Sequence, residues 1–499
     1  MFNRPLRHPP QSVGMTTAAI PTLQKPVSIR LAADANWLIA GAAAMTMLAL
    51  ALFGPGFLDD GDTTWHLAAG QWMIQHAAVP HTDPFSFTFA GAPWQAHEWL
   101  SEVMMATAFR LGSWTGVVVL YGLVLAGAAF LLTRQIGKSL TGVGLLLAVV
   151  LALACATPSL MARPHALVLP LLVGWTAVLL NARASGRAPP FWAAGLMLLW
   201  ANLHGSYVFG FLLLGVFGLE ALIEARPERR LAVVRDWGAF GAPTVLAAAV
   251  TPQGVPGLLF PFKLMSMTSL ANIAEWRASD FSRLGLFELS LLAVLFTCLS
   301  RGVKVPLLRL LLLHMSLQHA RHVIVAAMVA ALVLAPCVAE AAGRLKTADR
   351  PAASPLAWAA LAAVALALIG GRVATALERG DEANMPVTAL AHVPPALRAK
   401  PVLNEYGFGG YLIFKGVKPF IDGRTDMYGD AFMARYAQIV SPNQAALDAA
   451  LRQYNIAWTL LPPDNPVVAE MDREPGWRRL YADRYAVVHV RVDGAPRSP

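Results

Sequence analysis

Charged residues are scarce in this sequence, and their scarcity excludes several classes of protein. Asp, Glu, Lys and Arg make up 14% of the 499 residues, whereas 56% of the residues are hydrophobic. A typical soluble protein carries about 25% charged residues. The composition therefore excludes a wholly soluble enzyme, a disordered protein and a coiled coil. It indicates an α-helical protein that crosses a membrane several times and has one soluble part.

Cysteine is also scarce. The chain has three cysteines, Cys155, Cys298 and Cys337, and each lies inside an apolar segment. They lack the spacing of metal ligands and form no disulfide framework, so we interpret them as small packing residues.

Long apolar runs dominate the sequence instead. A membrane-spanning helix needs about 20 apolar residues, or fewer where neighbouring helices shield it. By this criterion we predict eleven spans, at 37–58, 114–133, 140–157, 166–182, 188–203, 207–224, 237–254, 284–300, 303–319, 322–342 and 355–371.

The basic residues set the predicted orientation. With a cytoplasmic N-terminus, the cytoplasmic connections and the adjoining span ends contain 18 Lys and Arg residues, and the outer connections before residue 372 contain 6. The positive-inside rule therefore places the C-terminal part on the outer side of the membrane. Because the net charge of +9 is concentrated in these loops, we expect a lipid bilayer and no nucleic acid as partner.

The sequence divides into five parts. Residues 1–36 are expected to be cytoplasmic and disordered, and residues 37–371 form the transmembrane domain, which includes a periplasmic loop at 59–113. A linker at 372–400 leads to a soluble α/β domain at 401–492, and 493–499 form a tail. Within the α/β domain we predict strands at 411–415, 418–422, 457–461 and 485–491, and helices at 430–439, 443–453 and 465–471.

The loop after the first span is acidic. Asp59, Asp60 and Asp62 follow one another closely, and Asp62 or Thr63 is a predicted N-cap of an amphipathic helix that lies on the membrane. Mutual repulsion and burial raise the pKa of such carboxylates, which suits a general base. A helix cap at a solvated boundary is the other interpretation of this cluster.

Further ionisable residues fall at the outer ends of the predicted spans, where such groups mark functional sites. They are His66, His97, Glu98, Arg163, His165, His204, Lys263, Glu275, Arg321 and His322. Carboxylates facing cations suit the transfer of a group from a phosphate, and we expect Arg163 and Arg321 to hold that phosphate. Single histidines at these positions are equally well explained as helix caps or snorkelling side chains.

Two further interpretations stay open at this point. Asp60, Asp62 and His66 are the ligands that a divalent metal would use, although their spacing is not diagnostic. Arg424 either pairs with Asp422 to hold a turn, or faces the pocket and binds an anionic acceptor.

Taken together, these residues resemble those of the C-type (GT-C) integral-membrane glycosyltransferases. The shared features are an aspartate at the exit of the first span, a long first outer loop, many further spans and a soluble C-terminal outer domain. A bacterial GT-C-like group is most similar, over residues 37–492, and the matching stretches are 62–70, 80–86, 93–100, 200–205, 275–276, 321–322 and 420–424.

The resemblance implies a sugar donor carried on a polyprenyl phosphate and inversion at the anomeric carbon. It also implies that the aspartate of the first loop is the catalytic base. Because Asp60-Gly61-Asp62 stands where characterised relatives often have Asp-Glu or Glu-Thr, the base is either Asp62 or Asp60, with Glu98 assisting. The resemblance further implies a bacterial inner membrane, with the C-terminal domain in the periplasm.

The function expected from the sequence is therefore transfer of a sugar from a polyprenyl-phosphate donor to a periplasmic glycan, lipid or protein. The alternatives are a non-enzymatic lipid-glycan transporter or flippase and an envelope assembly protein. A flippase should carry charges and Gly/Pro breaks near mid-span. The polar residues of this chain gather at the outer span ends instead, which favours the enzyme.

Overall fold

The computed structural model describes residues 27–282, 284–303, 314, 317–343, 354–375 and 377–492. Apolar helices form most of the chain before residue 375, since a helix satisfies its own backbone hydrogen bonds and can therefore enter lipid. These helices are α1 (Val27–Phe53), α2 (Asp62–His76), α3 (Trp99–Ile136), α4 (Gly142–Ala156), α5 (Pro164–Leu167), α6 (Leu169–Ser185), α7 (Ala194–Leu203), α8 (Tyr207–Glu224), α9 (Arg230–Ala249), α10 (Gly254–Met265), α11 (Leu286–Arg301), α12 (Val323–Ala341) and α13 (Pro355–Ala374).

The predicted number of eleven spans is not confirmed. Within the described residues, six helices are long and apolar enough to cross a membrane, or seven if α9 and α10, bent by 93°, form one broken span. The six segments are Ala35–Phe53, Trp99–Ile136, Gly142–Ser159, Tyr207–Glu224, Ala320–Ala341 and Pro355–Ala374. The spans predicted at 166–182 and 188–203 correspond to shorter apolar helices. The span predicted at 303–319 falls largely outside the described residues.

The N-terminal boundary also differs from the expectation. Helix α1 begins at Val27, inside the segment 1–36 that was predicted to be disordered. Residues 1–26 and the tail at 493–499 lie outside the described part of the chain.

The core of the membrane domain is built on α1 and α3, which pack along each other. Small residues such as Ala44 and Ala51 of α1, and Ala128 and Ala129 of α3, are buried there. Small side chains let helices approach closely, and close packing is what associates helices in lipid. This pair fixes the two ends of the first loop.

The chain after α13 forms the α/β domain. Its elements are α14 (Val387–Ala391), α15 (Pro395–Arg398), β1 (Val402–Asn404), α16 (Gly409–Phe414), α17 (Thr425–Ile439), α18 (Gln444–Gln453), β2 (Trp458–Leu461), α19 (Pro466–Met471), β3 (Trp477–Ala482) and β4 (Val487–Arg491). The sheet order is β1-β2-β4-β3. Strand β1 runs parallel to β2, and β4 runs antiparallel to both β2 and β3.

The expected fold class, a polytopic helical membrane protein followed by an α/β domain, is confirmed. The strands predicted at 457–461 and 485–491 correspond to β2 and β4, and the three predicted helices correspond to α17, α18 and α19. The strand predictions at 411–415 and 418–422 are wrong, because the first segment is helix α16 and the second contains no strand.

Helix α2 differs from its predicted setting. It does not lie on the membrane surface, because α3 and α16 pack against it and its residues from Thr63 to Gly70 are all buried. Its N-cap is Gly61 rather than Asp62 or Thr63. Asp60 supplies the missing acceptor, since its Oδ1 accepts a hydrogen bond of 2.8 Å from the backbone N–H of Asp62.

Candidate functional site

Arg163 is the centre of the candidate site. It directly precedes α5, and its guanidinium binds carboxylates from two distant segments. It pairs with Asp62 at the start of α2, and its Nη1 lies 3.5 Å from Oδ2 of Asp60. The same Nη1 lies 3.0 Å from Oε2 of Glu275. The structure thus brings together residues that sequence analysis placed at the ends of different spans.

The electrostatic state of Asp62 reflects this environment. Burial raises the pKa of its carboxyl group to about 6, with a further contribution from Asp60, and Arg163 opposes the rise. Its Oδ1 also accepts a 2.9 Å hydrogen bond from Nε1 of Trp65. The side chains of Asp62 and Arg163 remain 19% and 20% exposed. A carboxyl group with this pKa is deprotonated at neutral pH and can accept a proton.

Arg321 lies on the opposite side of Glu275. Its Nη1 is 3.5 Å from Oε1 of Glu275, and its guanidinium stacks over the ring of Trp276 at 4.2 Å. Burial acts to raise the pKa of Glu275, but Arg163 and Arg321 outweigh it, so the pKa is lowered and the carboxylate stays ionised. Two arginines that one carboxylate holds close together can bind a phosphate between them.

Glu98 is the centre of a second, deeper cluster. Its Oε1 lies 3.1 Å from Nε2 of His204 and 3.7 Å from Nε2 of His97. Its Oε2 lies 3.6 Å from Nε2 of His66, whose Nδ1 is 3.1 Å from Oε1 of Glu102. Burial raises the pKa of Glu98 and lowers the pKa values of His66 and His204. At neutral pH these two histidines are therefore uncharged, which is the form that binds a metal.

The predicted metal ligands do not come together. Asp60 and Asp62 bind Arg163, whereas His66 points to Glu98 and Glu102. Among the described residues, the ligand atoms of His66, Glu98 and Glu102 lie within 4.8 Å of one another. Oε2 of Glu102 is buried without a hydrogen-bond partner, which leaves a lone pair for a cation. This second set, rather than the predicted one, fits a divalent metal. Sequence analysis missed Glu102 because it lies within an apolar helix.

Arg424 does not face the pocket. Its side chain is fully buried between two carboxylates, with Nη2 at 2.7 Å from Oδ2 of Asp422 and Nη1 at 2.7 Å from Oδ1 of Asp83. The turn interpretation is therefore the correct one, and the expectation that Arg424 binds substrate is wrong. The ion pair with Asp83 ties the first loop to the α/β domain.

His322 lies beside the site rather than in the Arg163 cluster. Its ring packs edge-on against Phe209 at 4.9 Å and His319 at 5.0 Å between ring centroids. Its backbone N–H donates to the carbonyl of His319 at 2.9 Å. This hydrogen bond helps to form the turn that carries Arg321.

The α/β domain covers the site directly. Gly423 packs against the carboxylate of Asp62 and the indole of Trp65, and a Cβ atom at this position would collide with both. Sequence analysis identified the turn at 422–424 but not this contact, for which the only signal was a glycine between Asp422 and Arg424. The first loop and the α/β domain therefore lie on the same side of the membrane.

A cleft opens next to the Glu98 cluster. It has a volume of about 320 Å³, and its lining includes Gln253, Phe260, Lys263 and Asp426. The ring of His97 packs on Phe260 at 4.3 Å between centroids, so Phe260 lies between the cleft and the Glu98 cluster. Its size falls within the range of small-molecule sites, about 300–1,000 Å³.

Comparisons with known proteins give two likenesses in structure. No family model and no curated protein matches the sequence. The fold is similar to that of ArnT from Cupriavidus metallidurans bound to undecaprenyl phosphate, with 13% identity, 92% of this chain and 98% of ArnT covered, and a TM-score of 0.49. It is also similar to the arabinosyltransferase EmbB from Mycobacterium smegmatis, with 14% identity, 94% of this chain and 47% of EmbB covered, and a TM-score of 0.38. Both TM-scores lie below 0.5, so the function proposed below depends on this chain's own residues.

Proposed function

We propose that this protein is a GT-C-type membrane glycosyltransferase that moves a sugar from a polyprenyl-phosphate donor to a hydroxyl group of a periplasmic glycan, lipid or protein. The observation that carries this proposal is the position of Arg163, which joins Asp62 to the Glu275–Arg321 pair. Arg163 thus contacts a carboxylate of suitable basicity, Asp62. Together with Arg321, it also forms a pair of cations suited to a phosphate. A bilayer-embedded lipid donor reaches such a site from the outer ends of the spans.

In the proposed reaction, the donor phosphate binds to Arg163 and Arg321 and replaces Asp62 at Arg163, while Glu275 keeps the two arginines together. The acceptor hydroxyl attacks the anomeric carbon as its proton passes to the carboxylate of Asp62. The bond between that carbon and the phosphate oxygen breaks, and its electron pair stays on the phosphate, where the two arginines stabilise the charge. Attack opposite the leaving group inverts the anomeric centre.

The Glu98 cluster has a separate role in this proposal. Phe260 of the cleft contacts His97, a neighbour of Glu98, so we place the acceptor in this cleft, with Glu98 and His97 binding its hydroxyl groups. A divalent metal held by His66, Glu98 and Glu102 would supply a positive charge next to the acceptor. Asp60 shapes the start of α2 and raises the pKa of Asp62, which makes it an assistant to the base.

The alternative, a lipid-glycan flippase, also binds a polyprenyl phosphate. It requires polar groups along a path across the bilayer. The ionisable side chains described above gather at one end of the helices instead, next to the α/β domain. This arrangement supports chemistry at one membrane face more than transport.

The proposal is tested by the release of polyprenyl phosphate, which every acceptor has in common. The purified protein in nanodiscs receives synthetic polyprenyl-phosphate sugars and host membranes as the acceptor source, and mass spectrometry measures the released polyprenyl phosphate. We expect release by the wild type and by Arg110→Gln, which alters an exposed outer arginine, but not by Arg163→Gln. Binding of polyprenyl phosphate without release from any sugar of the panel would favour the flippase. The absence of both binding and release would refute the proposal.

A further inference from the structure

We propose that Asp430, in the α/β domain, is a positioning residue for the phosphate-binding arginines. It acts through the segment 268–276, which carries Glu275 and Trp276. This inference rests on the proposed function, because it assigns Asp430 to the donor half of the same site.

Asp430 holds the start of this segment with three hydrogen bonds. Its Oδ2 accepts from the backbone N–H of Thr268 at 3.0 Å and from the hydroxyl group of the same residue at 2.9 Å. Its Oδ1 accepts from the backbone N–H of Ser269 at 2.8 Å. A carboxylate that binds the free N–H groups at the start of a helical turn caps that turn. The contacts of Asp430 with Ser269 and Thr268 hold its pKa below its usual range, so the cap stays anionic.

The contact continues from this cap to Arg321. The turn at Ser269–Asn272 packs on the turn at Ala274–Trp276, which packs in turn on the segment Ala320–His322. Two hydrogen bonds join the last two segments: the N–H of Ala320 donates to the carbonyl of Arg277 at 2.9 Å, and Nδ1 of His319 donates to the carbonyl of Trp276 at 2.6 Å. Asp430 is therefore linked through packed backbone to both Glu275 and Arg321.

The backbone of α17 directs Asp430 towards the segment. Gly429 interrupts the helix with a φ of 73°, a backbone conformation that residues other than glycine rarely adopt. Asp430 is the first residue after this kink. The start of the same helix is tied to the first loop by the ion pair of Arg424 and Asp83. The α/β domain thus binds both halves of the site, the Asp62 half through Arg424 and the Glu275 half through Asp430.

Removal of the Asp430 carboxylate has a specific expected consequence. The turn at 269–272 loses its cap, so Glu275 and Trp276 are no longer held against Arg163 and Arg321. The arginines then bind the donor phosphate less well. The acceptor cleft keeps its contacts at His97 and Phe260, so acceptor binding should not change.

The test compares Asp430→Ala with Asp430→Glu, which restores the carboxylate, and with Asp464→Ala, which alters an exposed aspartate of the same domain. Hydrogen exchange of the peptide covering 266–279 and the affinity for polyprenyl phosphate are measured on the full-length protein. For Asp430→Ala we expect faster hydrogen exchange of this peptide. The affinity for polyprenyl phosphate should fall by about tenfold, the usual effect of disturbing a charge-assisted contact. The donor KM should rise with kcat nearly unchanged. Asp430→Glu should recover most of the affinity, and Asp464→Ala should match the wild type.

The two measurements separate the failure of this inference from the failure of the proposed function. Unchanged exchange in Asp430→Ala, or faster exchange with unchanged affinity, would overturn the positioning role alone. A wild-type protein that binds no polyprenyl phosphate would overturn the proposed function and the inference together. A general loss of folding is excluded when exchange in the peptides of α18 and β2 stays at the wild-type rate.

Discussion

Arg163 and Asp62 form an ion pair across 101 positions of the sequence. The pair joins the start of α2 to the start of α5, and Glu275 extends it to Arg321. In the proposed enzyme this ion pair is the resting form of the site, in which a carboxylate occupies the place of the donor phosphate. Binding of the donor would then release Asp62 to act as the base.

The first prediction concerns Arg321. Its side chain is only 26% exposed and pairs with Glu275. Its proposed role is to bind the donor phosphate. Arg321→Ala should weaken polyprenyl-phosphate binding by roughly 10–100-fold, the loss expected for a hydrogen bond to a charged group. The melting temperature in detergent should change little. A large fall in melting temperature with unchanged affinity would make Arg321 a structural residue.

The second prediction concerns pH. Burial raises the pKa of Asp62 to about 6, and a general base acts only when it is deprotonated. We expect kcat/KM for the donor to fall as the pH drops below about 6, by about tenfold per pH unit, because this parameter reports the free enzyme. Asp60 helps to raise this pKa, so Asp60→Asn should shift the acid limb to lower pH. An acid limb that stays in place in Asp60→Asn would contradict this coupling.

The third prediction concerns the link between the first loop and the α/β domain. The guanidinium of Arg424 is fully buried with Asp83 and Asp422. Arg424→Met would leave two buried carboxylates unpaired, which should lower the free energy of unfolding by about 3–5 kcal/mol. Arg473→Ala, at a side chain that is 76% exposed, should change it by less than about 0.5 kcal/mol. Tryptophan fluorescence during denaturant unfolding measures both. If Arg424→Met changes the free energy of unfolding little but abolishes acceptor binding, Arg424 binds the acceptor and does not serve mainly to hold the turn.

The fourth prediction concerns orientation. The excess of basic residues on one set of connections places the C-terminus outside the cytoplasm. A C-terminal alkaline phosphatase fusion should therefore be active, and a C-terminal green fluorescent protein fusion should be dark. The reverse pattern would show that the orientation is wrong for the first loop as well, because Gly423 packs on Asp62.

The sequence was sufficient for the features that depend on local composition. Apolar runs identified the six long helices, and alternating or periodic apolar residues identified β2, β4 and the helices α17 to α19. The polar residues at span ends, above all Asp62, Arg163, Glu275 and Arg321, were also identified, because an ionisable group at the end of an apolar run is costly without a function.

The remaining features depend on contacts between distant segments. The setting of α2 was wrong because its sequence looks amphipathic, and only the contact with α16 shows why both of its faces are buried. Glu102 and Asp430 were missed because one lies in an apolar helix and the other binds a segment 161 positions away. The division between the Arg163 and Glu98 clusters follows from side-chain direction, which the spacing of Asp60, Asp62 and His66 does not reveal.

The transfer rate of Asp62→Asn is the most direct test of Asp62 as the general base. The variant should fold normally, because Asp60 rather than Asp62 supplies the side-chain acceptor at the start of α2. We expect release of polyprenyl phosphate from the donor to fall by roughly 10²–10⁴-fold, the range for losing a general base, while donor affinity stays within a few-fold of the wild type. If Asp62→Asn retains wild-type activity and Asp60→Asn loses it, the two aspartates exchange roles. Wild-type activity in both variants would contradict the mechanism.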